Sequence, residues 1–302
     1  MFSDYDKCML CPRRCQVNRN NGETGICGQT NIIKAARASL HFWEEPVISG
    51  KNGSGTVFFS GCSLNCIYCQ NYQLSKENRG IEISEEQLAQ VFLELEDKGA
   101  HNINLVTAEH FAPSICAALC IAKEKGLKIP IILNSSGYTS ISTLKKFKKY
   151  IDIYLVDCKY YADDIARKLS NVNDYYAVAD KAIEEMVRQQ PELIYDEDGM
   201  LKKGVIVRHL CLPGNIKDSK KILEKLFKKY RNNICYSIMS QFTPTDNTRN
   251  FPPFNRKLKD REYEEVIDFC IALGMDNAFI QEGDSASESF IPEFDGEGII
   301  KY

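Results

Sequence analysis

Three cysteines stand within eight positions of the stretch GCSLNCIYCQNYQLS, Gly61 to Ser75. They are Cys62, Cys66 and Cys69, separated by three residues and then by two. Thiolates bind soft metals and iron–sulfur clusters. A cubane [4Fe–4S] cluster has four irons, so three cysteines on one loop can hold three of them and leave the fourth open to another ligand. That open iron is then the reactive position. A zinc knuckle or three thiols packed in a core are the competing readings, and structural zinc sites usually take four ligands in two close pairs.

A second constellation precedes it: Cys8, Cys11, Cys15 and Cys27, with gaps of two, three and eleven residues. Four thiolates complete a closed tetrahedral zinc site or fill an auxiliary [4Fe–4S] cluster, and the spacing does not separate the two. Scattered thiols are the plainer alternative. A metal there would fold a short segment that lacks a core of its own. Arg13 and Arg14 interleave with these cysteines. The chain carries 13 cysteines in 302 residues, an odd number crowded toward the first quarter. Secreted disulfide frameworks are usually short with an even count, so metal or redox chemistry is the better reading. Cys116 and Cys120, four apart on one helix face, read as packing residues, as do Cys158, Cys211, Cys235 and Cys270.

The rest of the chain must position these groups. Apolar residues make up 44% of it, enough for one large α/β barrel or two ordinary domains. The net charge of −3 argues against a general affinity for nucleic acid. No apolar run approaches the roughly 18 residues of a membrane span, and MFSDYDKC has no apolar signal core. These features predict a cytoplasmic protein without a membrane anchor.

From about Gly55 short apolar runs alternate with helical patterns: strands at 55–61, 102–108, 129–134, 151–158, 204–210, 234–240 and 277–281. Helices are predicted over 83–100, from Pro113 to near Gly126, from about Ser140, and near 218–230 and 259–273. Ser84 with Gln87 makes a capping box for the first. Such alternation implies a parallel sheet with right-handed crossovers. A full or partial TIM-type (β/α) barrel fits, with a doubly wound sheet as the alternative; both place ligands at the carboxyl ends of strands. Residues 1–50 read as a small cysteine-rich metal-binding appendage, 51–302 as the barrel core, and 159–203 as an acidic helical excursion.

CxxxCxxC after the first strand of a βα barrel resembles the signature of the radical S-adenosylmethionine (SAM) superfamily, and the resemblance runs from about residue 55 to the C-terminus. CMLCPRRCQVNR, WEEPVISGKNGSGTVFFSGC and CQNYQLS are similar to homologues of the pyruvate formate-lyase activating enzyme. The resemblance implies a site-differentiated [4Fe–4S] cluster on Cys62, Cys66 and Cys69, whose open iron is chelated by SAM. One electron then breaks the sulfonium's bond to C5′, and the 5′-deoxyadenosyl radical takes a hydrogen atom from a substrate. The cofactor carries that chemistry and the protein positions it.

The resemblance also implies SAM contacts. Tyr68 stands where the family has an aromatic beside the adenine. Thr107, Ala108, Glu109 and His110 replace the usual Gly-Gly-Glu, which leaves Glu109 and His110 as candidates. Asn134, Ser135 and Ser136 end the third strand, and Asp157-Cys158-Lys159 resembles an Asp-Leu-Lys segment. A buried carboxylate and ammonium facing a zwitterionic cofactor would be paired, as burial requires; a surface ion pair is the alternative. Arg208, rather than its neighbour His209, suits the SAM carboxylate, because a guanidinium binds it bidentately. Gln241 ends the sixth strand. The implied partners are a glycyl-radical protein as substrate and a flavodoxin or ferredoxin-type electron donor, with the lysine-rich 144–150 and 223–231 as a candidate donor surface. A radical reaction on a small molecule or another protein is a second reading. A zinc-dependent scaffold or RNA-binding module is a third, predicting zinc and no SAM cleavage. Trp43, Glu44, Glu45 and Pro46 mark the subgroup, and their sequence alone suggests no physical role.

Overall fold

The apolar runs become strands of one sheet in a computed structural model, which describes residues 2–281 and 291–299. The strands are β1 (Ile33–His41), β2 (Ser54–Phe59), β3 (Ile81–Ile83), β4 (Ile103–Val106), β5 (Ile131–Ser135), β6 (Ile153–Asp157), β7 (Ile194–Tyr195), β8 (Leu201–Leu210), β9 (Cys235–Met239) and β10 (Ala278–Ile280). Their order is β10-β9-β8-β6-β5-β4-β2-β1-β3, with β7 paired to β8 off this path. Neighbours from β2 to β10 are all parallel. They also follow one another in chain order, with no reversal among the described residues. A doubly wound sheet requires such a reversal, so this is a singly wound, partial TIM-type barrel. β1, which lies inside the segment read as an appendage, joins the sheet antiparallel to β2, from Ala35 opposite Phe59 to His41 opposite Ser54.

The helices form where caps and periodicity place them. Ser84 Oγ accepts from the Gln87 N–H at 3.2 Å and the Gln87 side chain accepts from the Ser84 N–H at 2.8 Å, opening the helix Glu85–Asp97. Its buried face, Leu88, Val91, Phe92 and Leu95, packs on the outward side chains of the strands, among them Val57, Phe59, Leu105 and Leu133. Alternate residues of a strand point to opposite faces, and the inner face carries a separate layer. Ile132, Ile153, Leu155, Ile206 and Cys235 form an apolar floor closed from below by Ile48. Ile48 belongs to the short helix Pro46–Ser49 in the β1–β2 connection and is fully buried. That gives the Trp43–Pro46 stretch a physical role: it leads the plug of the barrel's lower end.

Two residues beyond the floor, the same inward register presents Asn134, Asp157 and Arg208. Apolar below and polar above is what a packed barrel with chemistry at the carboxyl ends of its strands requires. The 159–203 excursion contains helices Asp163–Ser170 and Tyr175–Gln189. Among the described residues no helix is long and apolar enough to cross a membrane.

Candidate active site

β2 runs directly into the cysteine loop. Gly61 has φ +84°, and a Cβ there would sit 2.5 Å from the Cys27 carbonyl oxygen and 2.7 Å from the Gln29 side chain. Only glycine lets residues 27–29 lie against the start of that loop. Cys62, Cys66 and Cys69 line a cleft of about 290 Å³ at the upper end of the sheet. Burial pushes the Cys62 thiol up to about 12, and the neighbouring Cys66 and Cys69 sulfurs push the same way. Burial, then Cys66, raises Cys69 as well. Three desolvated sulfurs that repel one another as thiolates are a donor set for a cationic group, which would deprotonate them outright. Among the described residues no three ligating side chains stand close enough to hold a single metal ion. A cubane suits the wider spread, because it takes each thiolate on a different iron.

Below the cysteines lies a charged network. Arg208 donates from Nε to Asp157 Oδ1 (2.9 Å), from Nη1 to Glu44 Oε2 (3.1 Å) and from Nη2 to Asn134 Oδ1 (2.6 Å). Lys159 Nζ donates to Asp157 Oδ2 at 2.6 Å. Glu44 Oε1 accepts from the Asn104 amide at 3.0 Å and the Asn134 amide at 3.3 Å. Burial favours the neutral carboxyl of Asp157, but Arg208 and Lys159 outweigh it and hold its pKa below the ordinary value. For Glu44 burial wins over Arg208 and the pKa is raised. Burial likewise opposes charge on Lys159, and Asp157 overcomes it, so the ammonium is held above its usual range.

The cleft brings together most of the residues singled out from the sequence: Tyr68, Asn134, Ser135, Asp157, Lys159, Arg208 and Gln241. Glu109 and His110 are not among its lining residues. They lie in a 3-10 turn, Glu109–Phe111, directly after β4. Glu109 accepts from Thr139 Oγ1 at 2.8 Å and burial raises its pKa. The His110 Nε2 bonds the Ser60 carbonyl oxygen at 2.8 Å, and burial, then Arg19, lowers its pKa to about 3. His209 turns outward, with Nδ1 2.7 Å from the Cys158 carbonyl oxygen.

Thr107 lines the cleft with φ +57°, a region a β-branched residue enters only under strain. Left-handed backbone costs an ordinary residue about 1–2 kcal/mol, against about 0.5–1 kcal/mol for glycine's extra freedom when unfolded. Thr107→Gly is therefore expected to leave stability unchanged or raise it by up to about 1.5 kcal/mol; urea unfolding of the two proteins compares them, and a clear loss would refute the strain.

Sequence reasoning missed Glu44 as a member of the network, because it arrives from the β1–β2 connection rather than from a strand end. It also missed how the N-terminal segment is fixed. Arg19 is fully buried, lies 4.5 Å over the Tyr5 ring and donates to the Thr30 carbonyl and, at 2.5 Å, to the His110 carbonyl. Ser140 and Thr143 hydroxyls both donate to the Leu10 carbonyl oxygen, at 2.8 and 2.5 Å. The four cysteines of this segment share one locality: burial pushes Cys11 up to about 12, and Cys27, Cys15 and Cys8 each add to the rise.

Comparison with known proteins identifies the family and the fold. A family model described as the radical SAM superfamily matches residues 56–225. An uncharacterized protein of Methanocaldococcus jannaschii is 27% identical over 282 residues, 90% of this chain and 76% of its own. The pyruvate formate-lyase-activating enzyme of Clostridium pasteurianum is 26% identical over 123 residues, 39% of this chain and 50% of its own. The crystal structure of methylornithine synthase shares the fold with a TM-score of 0.51 at 17% identity, covering 72% of this chain; the chain spans 60% of that protein's length.

Proposed function

The chain belongs to the radical SAM superfamily, and we propose that Cys62, Cys66 and Cys69 hold the [4Fe–4S] cluster that membership implies, with SAM in the cleft beside them. The observation that carries this reading is the convergence of three thiols, Cys66 buried and Cys62 and Cys69 partly buried, at the rim of a cleft floored by Arg208, Asp157, Lys159 and Glu44. A cluster held by Cys62, Cys66 and Cys69 would supply the one electron that cleavage of the SAM sulfonium requires. The protein's part is binding and orientation. Arg208 and Lys159 are suited to the SAM carboxylate, Asp157 and Glu44 to its ammonium, and Tyr68 to the nucleoside end. With an external one-electron donor, of flavodoxin or ferredoxin type, the products are methionine, 5′-deoxyadenosine and a substrate radical. Anaerobically reconstituted, dithionite-reduced protein is expected to form 5′-deoxyadenosine from SAM. A preparation with its full iron and sulfide whose electron paramagnetic resonance signal is unchanged by SAM, and which forms no more 5′-deoxyadenosine than a protein-free control, would refute the reading, and bound zinc without labile sulfide would favour a scaffold instead.

The substrate follows by analogy. Similarity to the Clostridium enzyme supports hydrogen abstraction from a glycine of a partner protein. A glycyl-radical signal in the electron paramagnetic resonance spectrum of such a partner, dependent on SAM and on this chain, tests it.

We also propose a second metal site, zinc or iron–sulfur, on Cys8, Cys11, Cys15 and Cys27 in the 1–50 segment; a single zinc ion would have to draw these sulfurs closer together than they stand, whereas a cluster takes each on a different iron. Cys11→Ala is expected to lower total metal per chain by the content of one site without abolishing SAM cleavage. Metal analysis that finds no change would remove the site.

A further inference from the structure

Helix Asp163–Ser170 belongs to the excursion that sequence analysis left without a role, yet its last residue touches the cysteine loop. Ser170 is buried, and its Oγ donates to Cys66 Sγ at 2.9 Å. The same oxygen lies 2.8 Å from the Tyr160 hydroxyl, which lies 2.7 Å from the Tyr68 hydroxyl on the cleft wall. Phenols stay protonated at neutral pH. With Ser170 donating to sulfur, Tyr160 donates to Ser170 at the shorter of its two contacts, its oxygen also lying 3.9 Å from Cys66 Sγ, and Tyr68 donates to Tyr160. The three hydroxyls then point their protons one way, toward a single sulfur, and such chains strengthen each member.

The chain of hydroxyls is held in place from three sides. Arg13, between the N-terminal cysteines, donates to the Ser170 carbonyl at 3.1 Å, the Asn171 carbonyl at 2.7 Å and the Ser63 carbonyl at 2.8 Å. The Ile67 N–H, within the cysteine loop, donates to the Leu169 carbonyl at 2.9 Å. Thr245 Oγ1 donates to the Ile67 carbonyl at 2.9 Å. These bonds fix the backbone on either side of the contact, and the Tyr160 hydroxyl, 2.8 Å from Ser170 Oγ, holds the side chain in the rotamer that faces the sulfur.

We propose that Ser170 is a positioning residue that sets the reduction potential of the cluster through its hydrogen bond to Cys66. The inference rests on the assignment of Cys66 as a ligand. A hydrogen bond to a cluster sulfur stabilises the more negative, reduced state, so it raises the potential. The electron that breaks SAM must come from that reduced state, which makes the fraction of cluster reduced by a given donor depend on this hydroxyl.

The test is a redox titration of the cluster-loaded full chain without SAM, followed by electron paramagnetic resonance. Ser170→Ala is expected to lower the ratio of reduced to oxidised cluster at a fixed potential about tenfold, a shift of about 59 mV for a one-electron couple. Ser170→Thr, which keeps the hydroxyl, restores the wild-type value. Tyr160→Phe, which removes the next donor in the chain, shifts the potential in the same direction by less, and provides the reading should Ser170→Ala fail to fold. Iron and labile sulfide are measured in every sample. Wild-type potential in fully loaded Ser170→Ala, or in Tyr160→Phe where that is the variant read, overturns the role of Ser170 alone. Wild-type protein that takes up no labile sulfide overturns the cluster assignment beneath it.

Discussion

Cys62→Ala is expected to lose SAM cleavage to the level of a protein-free control, while Cys116→Ala keeps nearly all of it. Both substitutions remove one half-buried thiol that burial pushes up to about 12, and what separates them is the company each keeps. Cys62 lies in the cleft, where its pKa rises through burial and through the sulfurs of Cys66 and Cys69. A thiol in that position is costly to ionise unless a cation takes it, and a site with only two of its three thiolates cannot hold the cluster in one geometry. Cys116 lies on the outer helix Ala112–Glu124, with Sγ 3.6 Å from the Lys146 carbonyl oxygen, on the far side of the sheet's helical layer. Alanine there removes a few packing contacts. The measurement is 5′-deoxyadenosine per reconstituted chain, with iron and sulfide determined on the same samples. Equal activity in the two variants would sink the ligand assignment. Loss of activity in Cys62→Ala with iron and sulfide unchanged would mean that Cys62 acts in some other way than as a ligand.

The difference between what the sequence revealed and what it hid follows from the range of the interactions involved. Caps and periodicities are local, so the capping box of Ser84 and Gln87 and the positions of the parallel strands were legible. Asp157, Lys159, Arg208 and Asn134 were legible through the family resemblance, which points to polar residues near the carboxyl ends of strands, and the inward register of the sheet places Asn134, Asp157 and Arg208 side by side. The distinction between a singly wound barrel and a doubly wound sheet was not, since both have the same alternation and differ only in which strands pair. Glu109 and His110 lay at a strand end like the others, yet the backbone turns at Thr107 and the two enter a 3-10 turn away from the cleft. Glu44 and Ser170 were invisible for a related reason. Each reaches the site across the fold, Glu44 to Arg208 from the β1–β2 connection and Ser170 to Cys66 from the excursion. Nothing in their immediate neighbours encodes those partners.

Glu44 also decides the second large effect. Arg208→Met is expected to destabilise the protein by about 3–5 kcal/mol, the usual consequence of leaving a buried partner charge uncompensated. Arg208 bridges two carboxylates, and their side chains are only 16% and 10% exposed. Asp157 retains Lys159 at 2.6 Å, whereas among the described residues Glu44 retains the side-chain amides of Asn104 and Asn134 and no cation. The pH dependence follows from the two directions of shift. The Asp157 pKa is depressed in the folded protein, so its contribution to stability is present above its unfolded value, near 4, and is lost as pH falls through the folded value. The Glu44 pKa is raised, so ionisation of the unfolded chain above its ordinary value works against folding until the folded value is passed. Removing Arg208 shrinks the first contribution and enlarges the second penalty. The gap between wild type and Arg208→Met should therefore be smallest below the folded Asp157 value, larger near pH 4, and larger again toward neutrality as Glu44 ionises. Urea unfolding at these pH values reads it, and a gap that does not change with pH would refute the electrostatic account. Adding Glu44→Gln to Arg208→Met separates charge from packing, because the amide keeps the shape of Glu44 without an ion to bury. Partial recovery of stability at neutral pH identifies Glu44 as the stranded charge. An unrecovered loss would assign the role of Arg208 to the volume it fills.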